Sequence, residues 1–370
     1  MNIQQTFDEG YIVIGSSYSY DGDVIGSHSN FLNLNKDIWI VKLTANGTLS
    51  GQRCLGGSMD DDGLFIQQTT DGGYILSGGT YSNDGDVSGN HYFLFSSQDA
   101  WVVKLFVNGT IDWQRCYGGS GNEYATSIKE TFDGGYIFTG GATSTDGDVI
   151  GNHGLEDMWV VKLFPDGTKD WQRSLGGTLD DWGRDIQQTY DRGYGIIGTS
   201  NSSSGDITGH HGKSDAWLVK LYPAGDLDWQ HSLGGTAVDY GRTIHQTNDA
   251  GYIISGASFS NDSDVHGNHG SRDAWVIKIA GTGQTGIAPV AHFITNCTTG
   301  AMIPLTVQFI DTSMGTPTSW DWSFGDANTS TEQNPVHTYR QFGNFSITLT
   351  VANDYGQNVT SRPGYIHIIP

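Results

Sequence analysis

The chain has 370 residues, with 40 Asp and Glu against 18 Lys and Arg, for a formal net charge of −22. That balance makes nucleic acid and anionic membrane surfaces poor partners and cations the more natural company. Hydrophobic residues make up only 36% of the chain, but 11 Trp, 17 Tyr and 15 Phe can fill a core with few side chains.

Reading from the N-terminus, one block recurs. A Gly-Tyr or equivalent position returns at Tyr11, Tyr74, Tyr136, Tyr194 and Tyr252, with spacings of 63, 62, 58 and 58 residues. Such a period describes a supersecondary unit that must stack on its neighbours to bury its apolar face. Each unit holds four short strand candidates: a polar one such as SIKET or DIQQT, then GYIISG and its relatives, then AWVVKL, then DWQRSLGG. Short runs rich in Ile, Val, Tyr and Trp, bounded by Gly and Asp, are strand signals. Asp71-Gly72 and Asp133-Gly134 join the first two strands; Asn46-Gly47, Asn108-Gly109 and Asp166-Gly167 join the last two. These pairs suit two-residue hairpins in which both central residues take positive φ.

Four antiparallel strands repeated radially predict an all-β, five-bladed β-propeller over residues 1–280. The chain enters at the first strand, Asn2 to Thr6, and leaves after the third, Trp275 to Ile279. The last blade therefore lacks one outer strand, and its open edge invites pairing with another chain. Trp39, Trp101, Trp159, Trp217 and Trp275 are expected between blades, with Lys42, Lys104, Lys162, Lys220 and Lys278 snorkelling or pairing with aspartates. Cys54 and Cys116 occupy matching positions that Ser174 and Ser232 take later, which predicts small buried side chains.

The loop between the second and third strands concentrates the acidic residues: Asp21, Asp23, Asp84, Asp86, Asp146, Asp148, Asp206, Asp262 and Asp264. A histidine follows in each copy (His28, His91, His153, His211, His269), then an aspartate before the third strand (Asp37, Asp99, Asp157, Asp215, Asp273). The crossing to the next unit adds Asp60 to Asp62, Glu123, Asp180, Asp181 and Asp239 on the same face. Two readings stand. The loop carboxylates gather calcium, which takes six to eight oxygen ligands in flexible geometry. Alternatively they accept backbone N–H groups at turns. The histidines fit Asp–His hydrogen bonding better than zinc, which wants clustered nitrogen and sulfur ligands. In two units this loop lengthens and turns apolar, with Phe31, Leu32, Tyr92, Phe93, Leu94 and Phe95 either folded down onto their own blade or exposed as candidate contacts for a partner or a sugar face. No nucleophile recurs beside the histidines and no phosphate loop is present, so a non-enzymatic function is expected.

After a Gly/Thr linker at 281–287, residues 288–370 have the size of a β-sandwich. Trp322-Ser323-Phe324-Gly325-Asp326, Asn334-Pro335-Val336-His337-Thr338-Tyr339, Gly343-Asn344-Phe345 and Thr348 to Val351 resemble the PKD (polycystic-kidney-disease) repeat. Ser323 stands where that family usually has Asp, and Ala327 where it has Gly, which puts the turn in question. The resemblance implies an immunoglobulin-like spacer or adhesion module, common in extracellular proteins. The repeat beside it resembles arrays of secreted bacterial and archaeal surface proteins, particularly the surface-layer proteins of methanogens. That resemblance implies a cell-surface location, although no signal peptide is visible. It also implies structural or adhesive work with cell-surface proteins or glycans as partners but supplies no established ligand; the acidic loops make calcium the candidate cofactor, and the open edge of the last blade makes further copies candidate partners. A lectin-like propeller and a glycoside hydrolase are the alternative expectations. Asn46, Asn108, Asn201, Asn261, Asn296, Asn328, Asn344 and Asn358 are N-glycosylation acceptor motifs, a weak signal alone.

Overall fold

A computed structural model describes residues 1–28, 35–91, 97–281, 288–313, 315 and 317–369. It divides into two compact units, one built from the repeat up to Ile279 and one holding Ala280–Pro370. The described residues form strands and turns and no helix, so none offers a helix long and apolar enough to cross a membrane.

The repeat folds as five successive antiparallel sheets, each paired in chain order. The first comprises β1 (Asn2–Gln5), β2 (Tyr11–Ser17), β3 (Asp37–Leu43) and β4 (Leu49–Leu55). The second comprises β5 (Asp61–Gln68), β6 (Tyr74–Thr80), β7 (Asp99–Leu105) and β8 (Ile111–Tyr117). The third holds β9 (Glu123–Glu130), β10 (Tyr136–Ala142), β11 (Asp157–Leu163) and β12 (Lys169–Leu175). The fourth holds β13 (Asp181–Gln188), β14 (Tyr194–Ser200), β15 (Asp215–Leu221) and β16 (Leu227–Leu233). The fifth has three strands among the described residues, β17 (Asp239–Gln246), β18 (Tyr252–Ser258) and β19 (Asp273–Ile279), with no fourth strand like those of the other sheets.

Alternation sends each strand's odd and even residues to opposite faces, and both faces of an inner sheet are apolar. Ile12, Ile14, Ile38 and Ile40 of the first sheet pack on Ile66, Leu76, Trp101 and Val103 of the second. The same junction recurs with Ala100 and Val102 against Phe138 and Trp159, and with Met158 and Val160 against Ile196 and Trp217. Trp101, Trp159 and Trp217 are fully buried, and their indole N–H groups donate to Gln114, Gln172 and Gln230 at 2.8 Å. Lys42, Lys162 and Lys220 reach Asp8, Asp133 and Asp191 at 2.9 Å, as snorkelling side chains do. Cys54 and Cys116 are buried, unbridged thiols; burial pushes Cys54 up to about 11.

One expectation needs correction. The Asp-Gly pairs do not form turns with two positive φ values. Only the glycine is left-handed (Gly72 at 85°, Gly134 at 79°), while the Asp133 carboxylate accepts the Gly135 N–H at 3.0 Å. The extra residue makes a type I turn closed by a left-handed position, the geometry of longer hairpin loops. The first and last sheets each leave one face exposed, with Ile3 at 61% and Val276 at 66%.

The second unit is a two-sheet sandwich. One sheet pairs β20 (Phe293–Thr295), β22 (Leu305–Asp311) and β25 (Val336–Tyr339). The other pairs β21 (Thr299–Gly300), β27 (Gly356–Ile368), β26 (Gly343–Asn353), β23 (Ser319–Ser323) and β24 (Thr329–Ser330). Its core gathers Phe293, Phe309, Trp322, Phe324, Tyr339 and Leu349. Trp322 Nε1 donates to the Glu332 carbonyl at 2.9 Å, and Tyr339 donates its hydroxyl to the Phe324 carbonyl at 3.1 Å. His337 stacks on Phe324 and meets Asp326 at 2.8 Å. Ala327 sits at φ 70°, so the turn keeps the left-handed shape that glycine would supply.

Candidate functional site: carboxylates at the sheet junctions

The Asp-Gly-Asp loops lie against the crossing that leaves the preceding sheet. Asp84 accepts the Ser58 N–H at 2.7 Å. Asp86 donates its N–H to the Gly56 carbonyl at 2.8 Å and accepts the Gly56 N–H at 3.4 Å. Asp146 and Asp148 hold Ser120 and Gly118 in the same way. Asp206 holds Gly176, and Asp262 and Asp264 hold Thr236 and Gly234. These N–H groups keep Asp146 and Asp262 below the usual carboxylate range. Asp21 and Asp23, in the first sheet, are exposed. Thus seven of the nine expected loop carboxylates serve as clamps between sheets. Among the described residues no three His, Cys, Asp or Glu side chains converge as a metal cage. Phe31, Leu32, Tyr92, Phe93, Leu94 and Phe95 lie outside the described residues.

Beneath the clamps lies an arrangement that the residue spacing does not reveal. Asp37, Asp99, Asp157 and Asp215, which open the third strands, face Asp61, Glu123, Asp181 and Asp239, which open the next sheets. All eight are fully buried. On the strand-opening side, His91 gives its backbone N–H to Asp99 at 2.9 Å and approaches the same oxygen with Nδ1 at 2.7 Å. His153–Asp157 and His211–Asp215 repeat this, and His28–Asp37 does so at 3.2 Å from Nδ1. The histidines therefore orient aspartates. On the opposite side, Asp61 accepts from Gly57 N, Ser82 Oγ and Thr80 Oγ1, and Asp239 from Gly235 N, Ser260 Oγ and Ser258 Oγ. A glycine marks each pair: a Cβ on Gly118 would stand 2.6 Å from Glu123 Oε2 and 2.7 Å from Asp99 Oδ1.

One oxygen of Asp37, Asp99, Asp157 and Asp215 is buried without a hydrogen-bond partner among the described residues. Two carboxylates cannot both ionise cheaply in such a place, and desolvation favours the neutral form. Burial pushes Asp61 up to about 7, and raises Asp99, Glu123, Asp157 and Asp215 as well. Chemically, burial favours the protonated carboxyl at Asp61, Asp99, Glu123, Asp157 and Asp215. The Asp of each member was visible in the sequence; the pairing was not, because it depends on which sheet covers which.

A more open cleft occurs where the second and third sheets meet, lined by Ser88, His91, Gln114, Arg115, Asp148 and Lys169. Lys169 and Asp148 are 2.7 Å apart there.

The second unit is a two-sheet β-sandwich, and comparison specifies it further. Residues 287–368 match the family model of the PKD domain, so the chain carries a PKD domain at its C-terminal end. The pre-pro-metalloprotease PrtV of Vibrio cholerae is 33% identical over 87 residues, which is 24% of this chain and 9% of the relative. Collagenase ColQ1 of Bacillus cereus is 46% identical over 44 residues, 12% of this chain and 5% of the relative. The chain thus spans less than a tenth of the curated relatives it matches. The solved PKD1 domain of PrtV is 34% identical and is covered completely by 23% of this chain, with a TM-score of 0.19.

Proposed function

We propose that the chain is a non-enzymatic, extracellular structural or adhesive module. The PKD domain carries this reading. The repeat supports it, because its recurring loop aspartates join neighbouring sheets and its histidines orient aspartates within a sheet. The sheets are read as propeller-type blades with their first strands inward, stacked as an open array, and the surface-layer type of protein is the setting in which such arrays and PKD domains would stand together. Protease shaving of intact source cells should release peptides of this chain; recovery only after lysis would contradict the extracellular reading.

Glycan binding is the second reading, favoured by the polar cleft with Arg115, Asp148 and Lys169. A glycan array with the purified chain tests it, and an array without hits removes it. Calcium is the candidate cofactor of the acidic loops. Calorimetric titration of the chain and of an Asp86→Ala, Asp148→Ala variant tests that part, and equal heats from both would remove calcium from these loops.

A further inference from the structure

We propose that the two outward faces of the sheet array bind each other between copies of this chain, so that the last sheet of one copy stacks on the first sheet of the next. The argument rests on the repeated internal junction, not on the adhesive reading. Each internal junction joins a leading face of one kind to a trailing face of another. The leading face centres on an isoleucine of the first strand: Ile66, Ile128 and Ile186 are fully buried and Ile244 nearly so. Ile3 is the same position in the first sheet and is 61% exposed. The trailing face centres on the residue after the third-strand tryptophan: Val102, Val160 and Leu218 are fully buried. Val276 holds that position in the last sheet and is 66% exposed, beside Ile253 at 41%.

The exposed ends are therefore the two halves of an interface that the molecule already builds four times. The polar stitching is also half in place. Gln68, Gln188 and Gln246 accept N–H groups of Phe7, Phe132 and Tyr190 from the preceding sheet. Gln5, their counterpart, lies exposed on the first sheet. Because the two faces differ, the contact is heterologous, and it propagates into a ring or a filament rather than stopping at a symmetric dimer. Exposed apolar sheet faces favour such burial. It is a face contact, distinct from strand pairing along the open edge of the last sheet.

Sedimentation velocity of the full chain over a concentration series tests this. Wild type should form species heavier than the monomer as concentration rises. Ile3→Asp and Val276→Asp alter exposed side chains and should each give a folded monomer, checked by circular dichroism. An equimolar mixture of the two variants has one intact face of each kind and should form a dimer and nothing larger. Wild type that stays monomeric throughout, as intramolecular closure of the array would give, overturns the proposal. Heavier species that persist in both single variants, or a mixture that stays monomeric, overturn it as well.

Discussion

Asp157 and Asp273 occupy the same place in the repeat and have opposite chemistry. Each opens a third strand and takes the backbone N–H and Nδ1 of the histidine four residues before it. Asp157 is fully buried beneath the fourth sheet, and burial raises its carboxyl. Asp273 has no sheet above it, its side chain is 34% exposed, and the His269 N–H keeps its carboxyl below the usual range. The local sequence is alike, so the difference comes from the neighbouring sheet. Stacking, more than any single residue, sets the character of this protein's carboxylates.

The largest expected effect contrasts two tryptophans. Trp159 is fully buried between sheets while Trp275 is half-buried on the last one. Trp159→Ala should cost about 3–5 kcal/mol of stability by chemical denaturation, as large core truncations do. Trp275→Ala should cost about half of that; equal losses would break the contrast between inner and end sheets. Next in size is Gly118→Ala. Its methyl enters the gap between Asp99 and Glu123 and should cost about 1–3 kcal/mol by overpacking, read as a lower denaturation midpoint.

A smaller effect separates two loops. Gly147 is left-handed at φ 63°, and a Cβ there would meet the Gly118 carbonyl at 2.3 Å. Ser263 takes the same turn in the last sheet at φ 54°. Ser263→Gly should raise stability by about 0.5–1 kcal/mol by relieving the left-handed strain, while Gly147→Ser should lower it by more. Thermal unfolding of both variants checks the pair.

Much of this architecture could be read before the structure. Turn pairs and the alternation of AWVVKL place nineteen strands in five sheets, and the phase of the repeat leaves the fifth sheet one strand short. The sandwich could be read from Trp322, His337 and Tyr339, which the structure ties to Glu332, Asp326 and Phe324. The carboxylate pairs could not. Asp99 and Glu123 are both conspicuous, but they are 24 positions apart and in different sheets. Strand alternation placed them on one acidic face, whereas stacking buries them together. Ring closure was equally beyond reach, because the repeat period says what stacks on what and not whether the last unit meets the first.

The pairs make the most direct test of this account. Asp61, at about 7 against an ordinary 3.8, keeps in the folded state a proton that the unfolded chain releases. Its contribution is therefore fully present below about pH 4 and is lost as pH rises through about 7. His292, which burial holds down to about 4, acts in the opposite direction, so the informative quantity is a difference between proteins. Urea denaturation of wild type and Asp61→Asn between pH 4 and 8 supplies it. The account predicts that the stability of wild type relative to the variant falls as pH rises from 4 to about 7 and levels off above that. A relative stability that is flat or rises with pH would contradict a proton held between the sheets.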